Sequence, residues 1–153
     1  MEITDYPIVD DRYPFDFDCV WVASDCDEHL AVFITTGLGP IPFVYLDVDR
    51  KSIYEIEDRL LELPKVAEAK LLVSVQKTAY LIPLAERGFY VYDFDNYQYY
   101  KQYADPTRPM TMNGLHNEIV ELTAGIRFNT IRFSDTKHLD ARDYFSCCER
   151  FKK

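Results

Sequence analysis

CVWVASDCDEHLAVFITT (19–36) holds two runs rich in β-branched and aromatic residues, 19–24 and 30–36, on either side of Asp25-Cys26-Asp27-Glu28-His29. Valine, isoleucine, threonine and large rings suit the pleated surface of a strand, and five polar residues between two such runs read as a hairpin loop. The same logic makes a second hairpin of FYVYDFD (89–95) and YQYYKQY (97–103), pivoting about Asp95 and Asn96. With helical periodicity between and after them, the hairpins predict an α+β fold: a mainly antiparallel sheet of about five or six strands with two or three helices packed on one face.

Working outward, Gly37-Leu38-Gly39-Pro40-Ile41-Pro42 breaks the first ladder, because proline lacks the amide donor and the glycines permit positive φ. Phe43 to Leu46 then reads as a short strand. Ile53 to Leu63 is the clearest helix: Ser52 and Glu55 form a capping box, Ile53, Ile56, Leu60 and Leu63 share one face, and Pro64 ends it. Leu71 to Val75 reads as a buried strand. A shorter helix from about Ala79 to Arg87 has Gly88 as its natural C′ residue, with Pro83 kinking it or opening its regular part. After a loop over 104–114, Ile119 and Leu122 supply an apolar patch, and the alternation of Ile126, Phe128 and Thr130 with Arg127, Asn129 and Ile131 predicts a last strand over 125–133. In the tail, Ala141, Tyr144, Phe145, Cys148 and Phe151 fall at helical spacing, with Asp140 as N-cap and Arg150, Lys152 and Lys153 complementing the dipole.

A chain of 153 residues with 48% hydrophobic content is long enough for one core, so residues 1–153 are expected to form a single domain. No apolar run approaches the ~20 residues that span a bilayer, and the acidic start lacks the basic and apolar order of a signal peptide. The expectation is a soluble, cytoplasmic protein with no membrane partner. Cys19, Cys26, Cys147 and Cys148 have no CxxC spacing and read as structural thiols, the last two adjacent on the tail helix.

Charge is the most uneven feature. Residues 1–49 carry eleven carboxylates (Glu2, Asp5, Asp10, Asp11, Asp16, Asp18, Asp25, Asp27, Glu28, Asp47 and Asp49) against Arg12 alone, so a formal charge of −9 is about −10 there and +1 in the rest. Such a field attracts basic partners and repels nucleic acid. Eight of the fifteen residues from 89 to 103 are aromatic. Either the second hairpin is a core hairpin with cross-strand aromatic pairs, or one face, with Tyr97, Tyr99 and Tyr103, is open for recognition, where tyrosine gives large contact area at low entropy cost.

Catalytic patterns are sparse. His29, His116 and His138 lack HxH, HxxxH or HExxH spacing, and no motif flanks the cysteines. Gly37-Leu38-Gly39-Pro40 has neither the third glycine nor the lysine of a phosphate loop. The carboxylates could supply a general acid and base, but a chain of this size has little room for a sugar cleft. No catalytic residue, metal ligand or cofactor is assigned.

VWVASDCDEHLAVFITTGLGPIP (20–42), LIPLAERGFYVYDFDNYQ (81–98) and the IRF segments ending in RFSDTKHLD (132–140), about half the chain together, resemble bacterial immunity proteins of polymorphic and contact-dependent growth inhibition toxins. His29 departs from that texture, since a turn glycine would be comfortable there. The resemblance implies a non-enzymatic, stoichiometric activity: binding a cognate toxin domain and blocking its active site. Many such toxins are nucleases whose clefts are basic because they neutralise phosphates, which an acidic inhibitor complements. The expected partner surface is Asp16, Asp18, Asp25, Asp27 and Glu28 with Tyr97, Tyr99 and Tyr103, making no direct contact with nucleic acid. The alternatives are an acidic nucleic-acid mimic that inhibits a DNA-binding protein, and a small-molecule-binding or enzymatic domain with a pocket beside the aromatic hairpin.

Overall fold

The structure is a computed structural model and describes residues 13–14, 19–47, 50–72, 80–94, 96, 98–114 and 125–149. Asp16, Asp18, Tyr97, His116, Ile119 and Leu122, residues 73–75 of the expected fourth strand, Ala79, and the tail from Arg150 lie outside them, as do the side chains of Ser52 and Ile53.

In chain order the elements are β1 (Val20–Ser24), β2 (Leu30–Ile34), β3 (Ile41–Pro42), α1 (Val44–Asp47), α2 (Arg50–Leu61), β4 (Ala69–Leu71), α3 (Ile82–Glu86), β5 (Tyr90–Asp93), β6 (Tyr100–Pro106), β7 (His138–Leu139) and β8 (Cys147–Cys148). The main sheet has the order β1-β2-β5-β6-β4, with β7 also on β6. Every pair is antiparallel except β2 and β5, whose parallel pairing is reached by the long crossover that holds α1, α2, β4 and α3. The fold is therefore α+β with a mostly antiparallel sheet and three helices, as the sequence predicts.

Both hairpins form. The parity of their residues builds two different faces. Trp21, Phe33 and Tyr92 are register neighbours across three strands. Their rings stack, with centroids 4.1 Å apart for Trp21 and Phe33 and 4.8 Å for Phe33 and Tyr92. Phe128 and Phe133 from the C-terminal segment close over this aromatic face. Each such ring pair contributes about 1 kcal/mol beyond the area it buries. The opposite parity gives Val22, Val32 and Val91, all fully buried. This aliphatic face is left to the helices, with α2 against β1 and α3 across β4, β5 and β6. Ile56 and Leu60 of α2, Leu63 after it and Leu84 of α3 are buried. Gly88 follows α3 at φ +96° and donates its amide to the carbonyl of Ala85 at 2.9 Å, and Pro83 sits in the first turn. A side chain at 88 would be both strained and driven into Met110.

Several expectations are corrected. Phe43 is a turn and Val44–Asp47 a helical turn, because the Tyr45 hydroxyl reaches β1, donating to the carbonyl of Val22 and accepting from its amide. Helix α2 begins at Arg50, so Ser52 falls inside it and is not the cap. The described part of the fourth strand is an exposed edge, with Leu71 40% accessible, and not a buried strand. No strand forms over 125–133. Ser24 donates to the carbonyl of Ile126 and accepts from the amide of Phe128, giving a single bridge, and the chain then turns so that both Phe128 and Phe133 enter the aromatic face. The tail is no helix within the described residues: Ala141–Asp143 is one 3-10 turn and Cys147–Cys148 pairs with Ile41–Pro42. Asp140 nevertheless caps that turn, accepting from the amide of Arg142 at 3.0 Å.

Candidate functional site

The loop between β1 and β2 is organised around Asp25. Its side chain is buried with 0% exposure, and its oxygens are engaged by backbone amides: Oδ1 accepts from Asp27 at 2.9 Å and His29 at 3.0 Å, Oδ2 from Phe133 at 2.9 Å. Asp25 thus fixes both the turn and the start of the segment that covers the aromatic face. It is a framework residue and is not available to touch a partner, which corrects its place in the expected surface.

Asp27 and Glu28 are the carboxylates this framework displays. Asp27 pairs with Arg132, Nε to Oδ2 at 2.8 Å, and the pairing holds the guanidinium above its ordinary value. Arg127 donates to the carbonyl of Cys26 at 3.1 Å. For Asp27, a counter-charge missing from the first 49 residues in sequence is thus supplied in space by the C-terminal segment. Glu28 is different: it is exposed, and its carboxylate has no ion-pair partner among the described residues. Its backbone sits at φ +66°, in the left-handed region. A turn of this kind wants glycine or asparagine at that position, and an ordinary side chain there costs about 1 kcal/mol. The departure noticed at His29 therefore belongs one residue earlier, at Glu28.

Two further carboxylates belong to this end of the sheet, and sequence order hides both. The phenol of Tyr90 is pushed up to about 12, first by burial and then by the charges of Asp105, Asp25 and Asp135. Asp105 is itself raised above the usual carboxylate range by burial, against the opposing pull of Lys137 at 3.5 Å. The only signal in the sequence was that residues 105 and 135 flank the aromatic hairpin and the last IRF segment, and a register was needed to bring them to the loop.

No family model, curated protein or solved structure matches this chain.

The tyrosines are placed elsewhere. Because β5 runs parallel to β2 and β6 antiparallel to β5, Pro106 lies at the acidic-loop end of the sheet and Tyr99 at the other. Six residues of strand separate Tyr99 from Asp105, roughly 20 Å. Tyr103 is only 6% exposed and is core, not an open anchor. Tyr99 is half-buried, its ring 4.6 Å from that of His138. Among the described residues, Asp27 and Glu28 are therefore not brought together with Tyr99 and Tyr103. Phe89, Tyr90, Tyr92, Phe94 and Tyr100 are buried as well, so the described part of the aromatic hairpin is chiefly core.

An open groove of about 660 Å³ lies just beyond the C-terminal end of β6, between Lys65–Glu68 and Thr107–Arg108, with polar walls. Among the described residues no group of three or more His, Cys, Asp or Glu side chains could hold a metal ion, and no helix is long and apolar enough to cross a membrane.

Proposed function

We propose that this chain is a stoichiometric inhibitor of the bacterial immunity type, which works in the cytoplasm by docking its acidic loop end into the basic cleft of a toxin domain. The observation that carries this reading is Glu28. A glutamate held at positive φ, with no ion pair among the described residues, stands where glycine would be more stable, and a strained exposed charge of this kind is a functional candidate. The support is physical at two ranges. At long range, the acidic field of residues 1–49 raises the rate of encounter with a basic surface. At contact, three backbone amides on Asp25 fix the loop before binding, so little conformational entropy is lost when Asp27 and Glu28 engage. A nuclease cleft, basic because it binds phosphates, has the complementary charge. Inhibition is then occlusion of the cleft, with no bond made or broken.

The test is co-expression with the product of the gene directly upstream, where a toxin gene is expected. Growth should be rescued, inhibition in vitro should saturate near equimolar protein, and the toxin should regain activity once the complex is dissociated. Absence of rescue, or inactivation by substoichiometric protein, would remove the reading.

A further inference from the structure

The two outer edges of the sheet are treated differently. Along β1, the amide and carbonyl of Val22 are both taken by the Tyr45 hydroxyl, and those of Ser24 by Phe128 and Ile126. At the other edge, β4 pairs with β6 by Lys70 opposite Asp105, flanked by the bonds from the Thr107 amide to the Glu68 carbonyl and from the Leu72 amide to the Tyr103 carbonyl. Residues 68, 70 and 72 therefore direct their backbone groups at β6, and alternation directs those of Ala69 and Leu71 outward. The side chains around this edge are open: Glu68 and Lys70 are exposed, Val66 is 39% accessible and Leu71 40%. An edge left unpaired by the described residues is a template for another strand.

We infer that β4 is a self-association edge, at which two copies of this chain pair antiparallel about a two-fold axis through Ala69, joining their sheets. The choice of a second copy rests on self-complementary charge. With the axis at Ala69, that residue exchanges two N–H···O=C bonds with its copy, and Glu68 stands opposite the partner's Lys70 on both sides of the axis. Each Lys70 then lies between Asp105 of its own β6 and the partner's Glu68, so charges alternate across three strands. The neighbouring registers do not serve. An axis at Glu68 or Lys70 sets like charges face to face, and one at Leu71 leaves Glu68 and Lys70 without each other. The paired strand is short, so the dimer is weak and sensitive to salt.

Analytical ultracentrifugation at low salt over a range of concentrations tests this. The wild-type mass should climb from monomer towards dimer as concentration rises, and fall back when salt is added. Glu68→Lys should hold the protein monomeric with unchanged melting temperature, Lys70→Glu should do so at some cost in melting temperature because it sets a carboxylate opposite Asp105, and the double variant should dimerise again. A wild type that stays monomeric throughout, a dimer indifferent to either single variant, or a double variant that does not recover would each overturn the proposal.

Discussion

The two ends of the sheet differ in how fully their carboxylates are answered by bases. At the Tyr99 end, Arg142 is bonded to Asp140, to Glu149 at 2.9 Å and to the carbonyl of Gln98 at 2.9 Å, so acid and base answer each other within the fold. At the loop end Asp27 is paired with Arg132 and Asp105 faces Lys137, but Asp25 is held by backbone amides, with no cation bonded to it, and Glu28 has no ion-pair partner among the described residues. A carboxylate bonded to arginine is neutralised, whereas one bonded to amides keeps its field. The same residue types therefore make a closed surface at one end and leave the charge of Glu28 unanswered at the other.

The largest effect that can break this contrast is at Asp25. Alanine there would orphan the amides of Asp27, His29 and Phe133, and should cost about 4 kcal/mol of stability. Chemical denaturation measures it, and a loss below about 1 kcal/mol would mean that the amides find other partners and that the loop is not built on this carboxylate.

Next comes the tyrosine end. Tyr103→Ala should destabilise by about 3 kcal/mol, as a large core truncation does, while Tyr99→Ala should cost under about 1 kcal/mol. Neither should change partner affinity beyond what unfolding explains. A Tyr99→Ala variant that melts normally but loses binding would return this end of the molecule to the interface.

What the sequence made legible follows from where local and tertiary preferences agree. In both hairpins the β-branched and aromatic runs want strands, and burial on two faces wants the same, so 19–36 and 89–103 were readable directly. The C-terminal segment differs. Ala141, Tyr144, Phe145 and Cys148 share helical spacing, yet Phe145 packs on Phe128 with ring centroids 4.8 Å apart, and Cys148 pairs with Ile41, partners more than a hundred residues away in the latter case. Periodicity carries no information on such partners. The candidate site is less legible: the acidic loop between β1 and β2 is readable as a polar turn, but the burial of Asp25, the strain at Glu28 and the distance of Tyr99 and Tyr103 from the loop depend on amides and register that appear only in three dimensions.

A smaller change sharpens the contrast. Glu28→Gly should raise stability by about 1 kcal/mol, because glycine meets no penalty at positive φ, while weakening partner binding roughly fivefold. Thermal melts beside titration calorimetry separate the two quantities. Stability gained with affinity intact would leave the strained glutamate without a function in binding.

The central claim, that the acidic loop end steers and receives a basic partner, is tested most directly by stopped-flow association with the toxin domain across a series of salt concentrations. Exposed charges act chiefly on encounter and are screened by salt. The wild-type rate should fall steeply as salt rises, and Asp27→Asn with Glu28→Gln should lower the rate at low salt and flatten the dependence, leaving the melting temperature in place. Rates that are the same for wild type and variant at every salt concentration would contradict the account.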